Sequence, residues 1–146
     1  CDVLIASENA RFADTHARVG MLPGWGLSQK LPRLIGLSRA REIAFTGAPV
    51  FARQAYEWGL VNHVLPSEEL LPKAVAIAED MCACVPEVLT GYRRLINEGY
   101  SMPLREALAW EEAEAIAWSR QVTGHMIESR RQQILDKGRD EKGRGA

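Results

Sequence analysis

Short apolar bursts occupy the first part of the chain, and helical stripes occupy the rest. Val3 to Ala6 is an apolar run with β-branched members and predicts a strand. Ser7, Glu8 and Asn9 are turn residues, and Ala10 to Ala13 predicts a second short strand. Asp14, Thr15 and His16 interrupt it. The run Val19-Gly20-Met21-Leu22-Pro23-Gly24 then carries two glycines and a proline, which predicts a loop. Ser28 is the expected cap of a short helix that buries Leu31, Leu34 and Ile35 and stops at Gly36, with Pro32 shortening or distorting it. Ser38 is expected to cap a helix that buries Ala40, Ile43 and Ala44 and ends at Gly47. A third helix, about Ala52 to Trp58, stops at Gly59 and hands over to a strand within Leu60 to Val64.

From Pro66 the period is helical. Glu68 and Glu69 follow Ser67, where acidic residues suit a positive helix end. Leu70, Leu71, Ala74, Ile77, Ala78 and Met81 keep helical spacing behind them. Pro86 opens a helix with Val88, Leu89, Tyr92, Leu95 and Ile96 on one face, closed by Gly99. Ser101 or Met102 starts a long one. It carries Leu104, Leu108, Ala115 and Trp118 on one stripe and Trp110, Ala113 and Ala117 on the next, a double stripe that predicts packing on two sides, one of them against another subunit. A last helix spans about His125 to Lys137, and the charged, glycine-rich tail after it is expected to be disordered.

Composition narrows the classes. The chain has 146 residues, 47% hydrophobic and 25% charged, which suits a soluble globular protein with one core or two small domains. A net charge of -1 supplies no electrostatic reason to expect nucleic acid or an anionic membrane as partner. Three cysteines, Cys1, Cys82 and Cys84, make no disulfide framework and read as reduced intracellular thiols. No apolar run approaches membrane-spanning length. Because Cys1 leads straight into the first strand with no Met and no polar leader, the chain is expected to be a fragment that begins inside a domain.

The candidate chemistry gathers in Phe12 to Gly26. His16 has the residue type for a general acid or base, and equally that of a hydrogen-bonded structural histidine. Asp14 can orient it or simply cap the turn. Pro23-Gly24-Trp25-Gly26 ahead of Ser28 is like an anion-binding loop at a helix start, but lacks the Gly-Lys-Ser/Thr of a P-loop. His63 and His125 stand alone, so no metal site is expected.

Several short motifs in fixed order carry more. Cys1-Asp2, Ala10-Arg11-Phe12, Val19-Gly20, Pro23-Gly24-Trp25-Gly26 and Leu31-Pro32-Arg33-Leu34-Ile35-Gly36 come first. Ala40-Arg41-Glu42, Thr46-Gly47, Ala55, Gly59-Leu60-Val61, Val64 and Pro66 follow. Together they resemble the enoyl-CoA hydratase (crotonase) superfamily, to about Lys137, and roughly the C-terminal half of a member. The resemblance implies an α/β fold class, the C-terminal part of a crotonase-like ββα spiral followed by a helical bundle region. The expected domains are 1–65 (spiral core), 66–138 (helical trimerisation region) and 139–146 (disordered tail).

It also implies acyl-CoA thioesters as substrates, no other cofactor, a thioester enolate held by two backbone N–H donors, and assembly as a homotrimer or hexamer in the cytoplasm. The oxyanion donors and the first of two water-handling glutamates would precede Cys1. His16 aligns with the second glutamate, and Met21, Leu22, Pro23, Gly24 and Trp25 lie by the acyl pocket, with Trp25 narrowing it. The implied function is an enoyl-CoA hydratase-type lyase when full length. Another crotonase-type activity (isomerase, hydrolase, decarboxylase) or a non-catalytic acyl-CoA binder is the alternative, because His16 replaces a carboxylate. The chain alone is expected to be inactive, and His16→Glu in the full-length protein is expected to raise hydration. At Phe51 the family often has a capping Ser or Asp, so a cap worth about 1 kcal/mol is expected to be missing there.

Overall fold

A computed structural model describes residues 1–144, with side-chain surroundings to residue 135. The chain divides into two compact units, Cys1–Ala83 and a second beginning at Cys84. The first unit thus ends later than the expected boundary at residue 65, because the helix after it packs against the first strand.

In the first unit the apolar burst at the start becomes β1 (Ile5–Ser7), which pairs in parallel with β4 (His63–Leu65) in the register Ile5 to His63 and Ser7 to Leu65. Parallel strands need a crossover, and everything between them supplies it. Asn62 clamps the entrance of the ladder: its Oδ1 accepts the Leu4 N–H at 2.8 Å, and its N–H reaches the Leu4 carbonyl at 2.7 Å. Within the crossover, β2 (Arg11–Phe12) pairs antiparallel with β3 (Val50–Phe51). Helices α1 (Leu27–Ile35) and α2 (Leu37–Thr46) pack on each other between them, and α3 (Ala52–Glu57) follows β3 directly. The core is Ala6, Leu31, Ile35, Ala40, Ile43, Val50, Ala55 and Val61. A short 3₁₀ turn, Ser67–Glu69, leads into α4 (Leu70–Cys82), which lies on β1.

Helix positions match the hydrophobic pattern better than helix ends do. Gly26 and Gly36, not Ser28 and Ser38, stand at the N-caps of α1 and α2, and both serines fall inside the helices. Gly26 sits at φ 86, where its carbonyl takes the Gln29 and Lys30 N–H groups at 3.1 and 2.8 Å. Leu34, expected in the core, is exposed, because the inner stripe of α1 runs through Leu31 and Ile35. Pro32 is inside α1 and its carbonyl still accepts the Gly36 N–H at 3.0 Å.

At Phe51 there is indeed no side-chain cap for α3. The Ala52 N–H goes instead to the Ala10 carbonyl at 3.0 Å, and the Arg11 guanidinium lies 5.2 Å from the Phe51 ring centroid. A cation over an exposed ring stabilises by about 0.5–1 kcal/mol, comparable to the missing cap.

The second unit is helical: α5 (Pro86–Gly99), α6 (Leu104–Ser119) and α7 (Gly124–Arg144). Helix α6 starts at Leu104 rather than at Ser101 or Met102. Pro103 is its N-cap, and a proline disfavours helical backbone in the residue before it. Half-buried positions on α5 are Val88, Gly91, Leu95 and Gly99, and on α6 Ala107, Trp110 and Glu114. Arg94 joins the two helices, pairing with Glu114 and stacking 5.4 Å from the Trp110 centroid. The outer α5 residues Leu89, Tyr92 and Ile96 are exposed, as are Leu104, Leu108 and Ile116 of α6. Helix α7 continues past Lys137 to Arg144, so the backbone at 139–144 is helical where the tail composition predicts disorder. The last two tail positions lie outside the described residues.

Among the described residues, no helix is long and apolar enough to cross a membrane. The three cysteines are exposed, and no disulfide links them.

Candidate functional site

The polar turn after β2 sets the one buried polar side chain among the described residues. Asp14 is 7% exposed, and its Oδ1 accepts both the His16 backbone N–H at 3.1 Å and the His16 ring Nδ1 at 2.7 Å. The first bond closes a tight turn and the second aims the imidazole, so both expected roles of Asp14 are present in one oxygen. The His16 side chain is 39% exposed.

A 3₁₀ turn, Ala17–Val19, begins directly after His16. The His16 carbonyl accepts the Val19 and Met21 N–H groups at 3.1 and 3.0 Å, which fixes the backbone of the residue itself. The Arg18 Nε donates to the Thr46 carbonyl at 2.8 Å and so ties this turn to the end of α2. That contact explains Gly47. At φ 59 it ends α2 in the left-handed region, and a Cβ there would lie 2.5 Å from Arg18 Nε.

A cavity of about 370 Å³ opens beside His16, within the size range of small-molecule pockets. Its floor is the loop, through Ala17, Met21, Leu22 and Pro23, and its wall is α1 and α2. The lining is apolar except for Asp14, His16, Ser28 and Arg41.

Of the expected site residues, His16, Met21, Leu22 and Pro23 come together here. Gly24 and Trp25 do not line the cavity. Trp25 is 98% exposed, so its ring does not narrow the space. The α2 side of the wall, Leu37, Arg41, Ala44 and Phe45, was missed from sequence, although Leu37, Arg41 and Phe45 recur at a four-residue spacing beside the core stripe. His63 is half-buried in β4, and no group of three or more His, Cys, Asp or Glu residues suited to a metal ion occurs among the described residues.

Comparison with known proteins agrees along most of the chain. The family model for enoyl-CoA hydratase/isomerase matches residues 1–130. A probable peroxisomal enoyl-CoA hydratase 1 of Arabidopsis thaliana is 40% identical over 138 residues, 94% of this chain and 52% of that protein. A short-chain-enoyl-CoA hydratase of Clostridium acetobutylicum is 37% identical over 111 residues, 76% of this chain and 42% of that protein. The crystal structure of an enoyl-CoA hydratase from Bacillus anthracis superposes with a TM-score of 0.83 at 34% identity, covering 94% of this chain and 52% of that one. The chain therefore spans about half the length of the curated relatives it matches. The fold class expected from the motifs, an α/β C-terminal part of a crotonase-like spiral with a helical region, is borne out.

Proposed function

The chain belongs to the enoyl-CoA hydratase/isomerase family, and from that premise we propose that the whole protein is an enoyl-CoA hydratase-type lyase acting on acyl-CoA thioesters. It adds water across the 2,3-double bond of an enoyl-CoA through a thioester enolate and needs no cofactor beyond its coenzyme A thioester substrate. The observation that carries this reading is the His16 imidazole, anchored on Asp14 at 2.7 Å and set in the wall of an apolar cavity. An apolar chamber suits an acyl chain, and a fixed imidazole suits proton transfer to or from water. Met21, Leu22 and Pro23 contact the acyl chain on this reading, with Gly24 and Trp25 outside the cavity. On the family resemblance the enolate oxygen is held by two backbone N–H donors, which stabilise charge that develops only as the reaction proceeds.

The test is hydration of a short 2-enoyl-CoA by the longer protein, followed by loss of the conjugated thioester absorbance. His16→Gln is expected to lower kcat by about a hundredfold or more, the usual contribution of a positioned acid/base group. Unchanged turnover in that variant, with its fold intact, removes His16 from the mechanism.

A second reading, a non-catalytic acyl-CoA binder, draws on one observation: position 16 holds an imidazole rather than a carboxylate. Acyl-CoA binding without turnover in the longer protein would favour it. An isomerase or hydrolase shares the same enolate chemistry, and product analysis separates these. Assembly as a homotrimer or hexamer is supported by the exposed Tyr92, Ile96, Leu104 and Leu108 on α5 and α6. Cytoplasmic location completes the proposal; the Arabidopsis relative is named peroxisomal.

A further inference from the structure

We propose that Asp14 is a positioning residue that holds His16 in its Nδ1–H tautomer, so that the resting site presents an unprotonated Nε2 to the cavity and begins its chemistry by taking a proton. This rests on the reading of His16 as the proton-transfer residue.

Both N–H groups of residue 16 that can reach Asp14 converge on one oxygen, at 3.1 Å from the backbone and 2.7 Å from the ring. The backbone bond fixes Oδ1 relative to the His16 main chain, and the ring bond then fixes the imidazole about its own side-chain torsions. A carboxylate accepts and does not donate, so Nδ1 must be the donor. A neutral imidazole has a single N–H, which leaves the lone pair on Nε2, at the ring edge turned away from the buried Asp14. His16 lines the cavity, and among the described residues no carboxylate besides Asp14, no other histidine and no lysine lines it. Arg41 is the remaining charged group of the wall, and a guanidinium stays protonated and cannot act as a base.

The consequence is directional. A water O–H breaks and its proton passes to Nε2. The water oxygen bonds to carbon 3 of the enoyl group, and the π pair moves onto the thioester oxygen as the enolate. The imidazolium so formed keeps its Nδ1–H on Asp14, and its new Nε2–H is the proton available to carbon 2 when the enolate collapses. A hydrogen-bonded orienting carboxylate of this kind acts through the base it holds and does not itself take the proton.

The experiment is nitrogen-15 NMR of the protein labelled at histidine, in mildly alkaline buffer, where long-range proton–nitrogen correlations tell the two tautomers and the doubly protonated ring apart. His16 is assigned by the signals lost in His16→Gln. The wild type is expected to show the Nδ1–H pattern. Asp14→Ala, checked for an otherwise native spectrum, is expected to shift the majority to the Nε2–H form that an unconstrained imidazole favours. An Nε2–H or doubly protonated His16 in the wild type overturns the proposal, as does an Asp14→Ala variant that retains the Nδ1–H form. Should Asp14→Ala fail to fold, the wild-type pattern decides alone. A wild-type Nδ1–H pattern upholds the assignment even where His16→Gln hydrates normally, an outcome that overturns the underlying reading instead.

Discussion

Asp14 satisfies two donors from the core edge, so its loss reaches stability as well as chemistry. Asp14→Ala removes both bonds and leaves the His16 N–H without that acceptor. The expected cost is about 1.5–3 kcal/mol, the range for hydrogen bonds to charged groups, read as a lower urea midpoint at unchanged slope. Trp25 makes the opposite case: at 98% exposure Trp25→Ala is expected to move stability by less than about 0.5 kcal/mol in the same titration.

The environment of Asp14 also refines the expectation for His16→Glu. A glutamate there brings a second carboxylate toward a buried one, and like charges in close reach resist joint ionisation. In the longer protein the double variant Asp14→Asn/His16→Glu is therefore expected to hydrate a short enoyl-CoA faster than His16→Glu alone. Equal rates would mean that Asp14 does not oppose a carboxylate at position 16.

At the scale of elements, the ends of α2 decide most. Gly47→Ala forces a Cβ into the left-handed region and onto Arg18. A cost of about 1–2 kcal/mol is expected in thermal unfolding, together with a disturbed environment for His16. Elements themselves were legible in the sequence because their periods differ: the β-branched burst became β1, and the stripes became α1 to α6. Their starts were not. Ser28 and Ser38 have the chemistry of caps, yet Gly26 and Gly36 hold those positions because the chain turns there at φ 86 and 87, geometry that only the packing of α1 on α2 reveals.

The site was half legible. His16 and the loop through Pro23 stood out as polar and glycine-rich against an apolar background. The burial of Asp14 and the α2 wall depend on long-range packing that no local pattern reports. Of the double stripe expected on α6 only Trp110 is half-buried, facing α5 beside Ala107 and Glu114, whereas Ala113, Ala117 and the whole stripe of Leu104, Leu108, Ala115 and Trp118 are exposed.

For the whole molecule, exposed apolar surface is the dominant fact. In the first unit Met21, Leu22, Trp25 and Phe45 are open to solvent, and in the second Tyr92, Ile96, Leu104 and Leu108 are. Exposed apolar side chains of this kind suit either a ligand groove, as at Met21, Leu22 and Phe45, or a partner surface. If the α5–α6 face joins subunits, Leu104→Glu/Leu108→Glu should shift the sedimentation of the longer protein to smaller species without unfolding it. An unchanged sedimentation coefficient would move the interface elsewhere.

The bond from Arg18 to the Thr46 carbonyl has a consequence in time as well as in place. It couples the turn that carries His16 to the last turn of α2, where helices fray first. The amides of Val19 and Met21, which close on the His16 carbonyl, should then exchange with deuterium at rates that follow the end of α2. Arg18→Ala should release them to exchange faster while the amides of α1 keep their protection. An imidazole fastened in this way should open as often as that helix end does, and a substitution that steadies the end of α2 should steady it too.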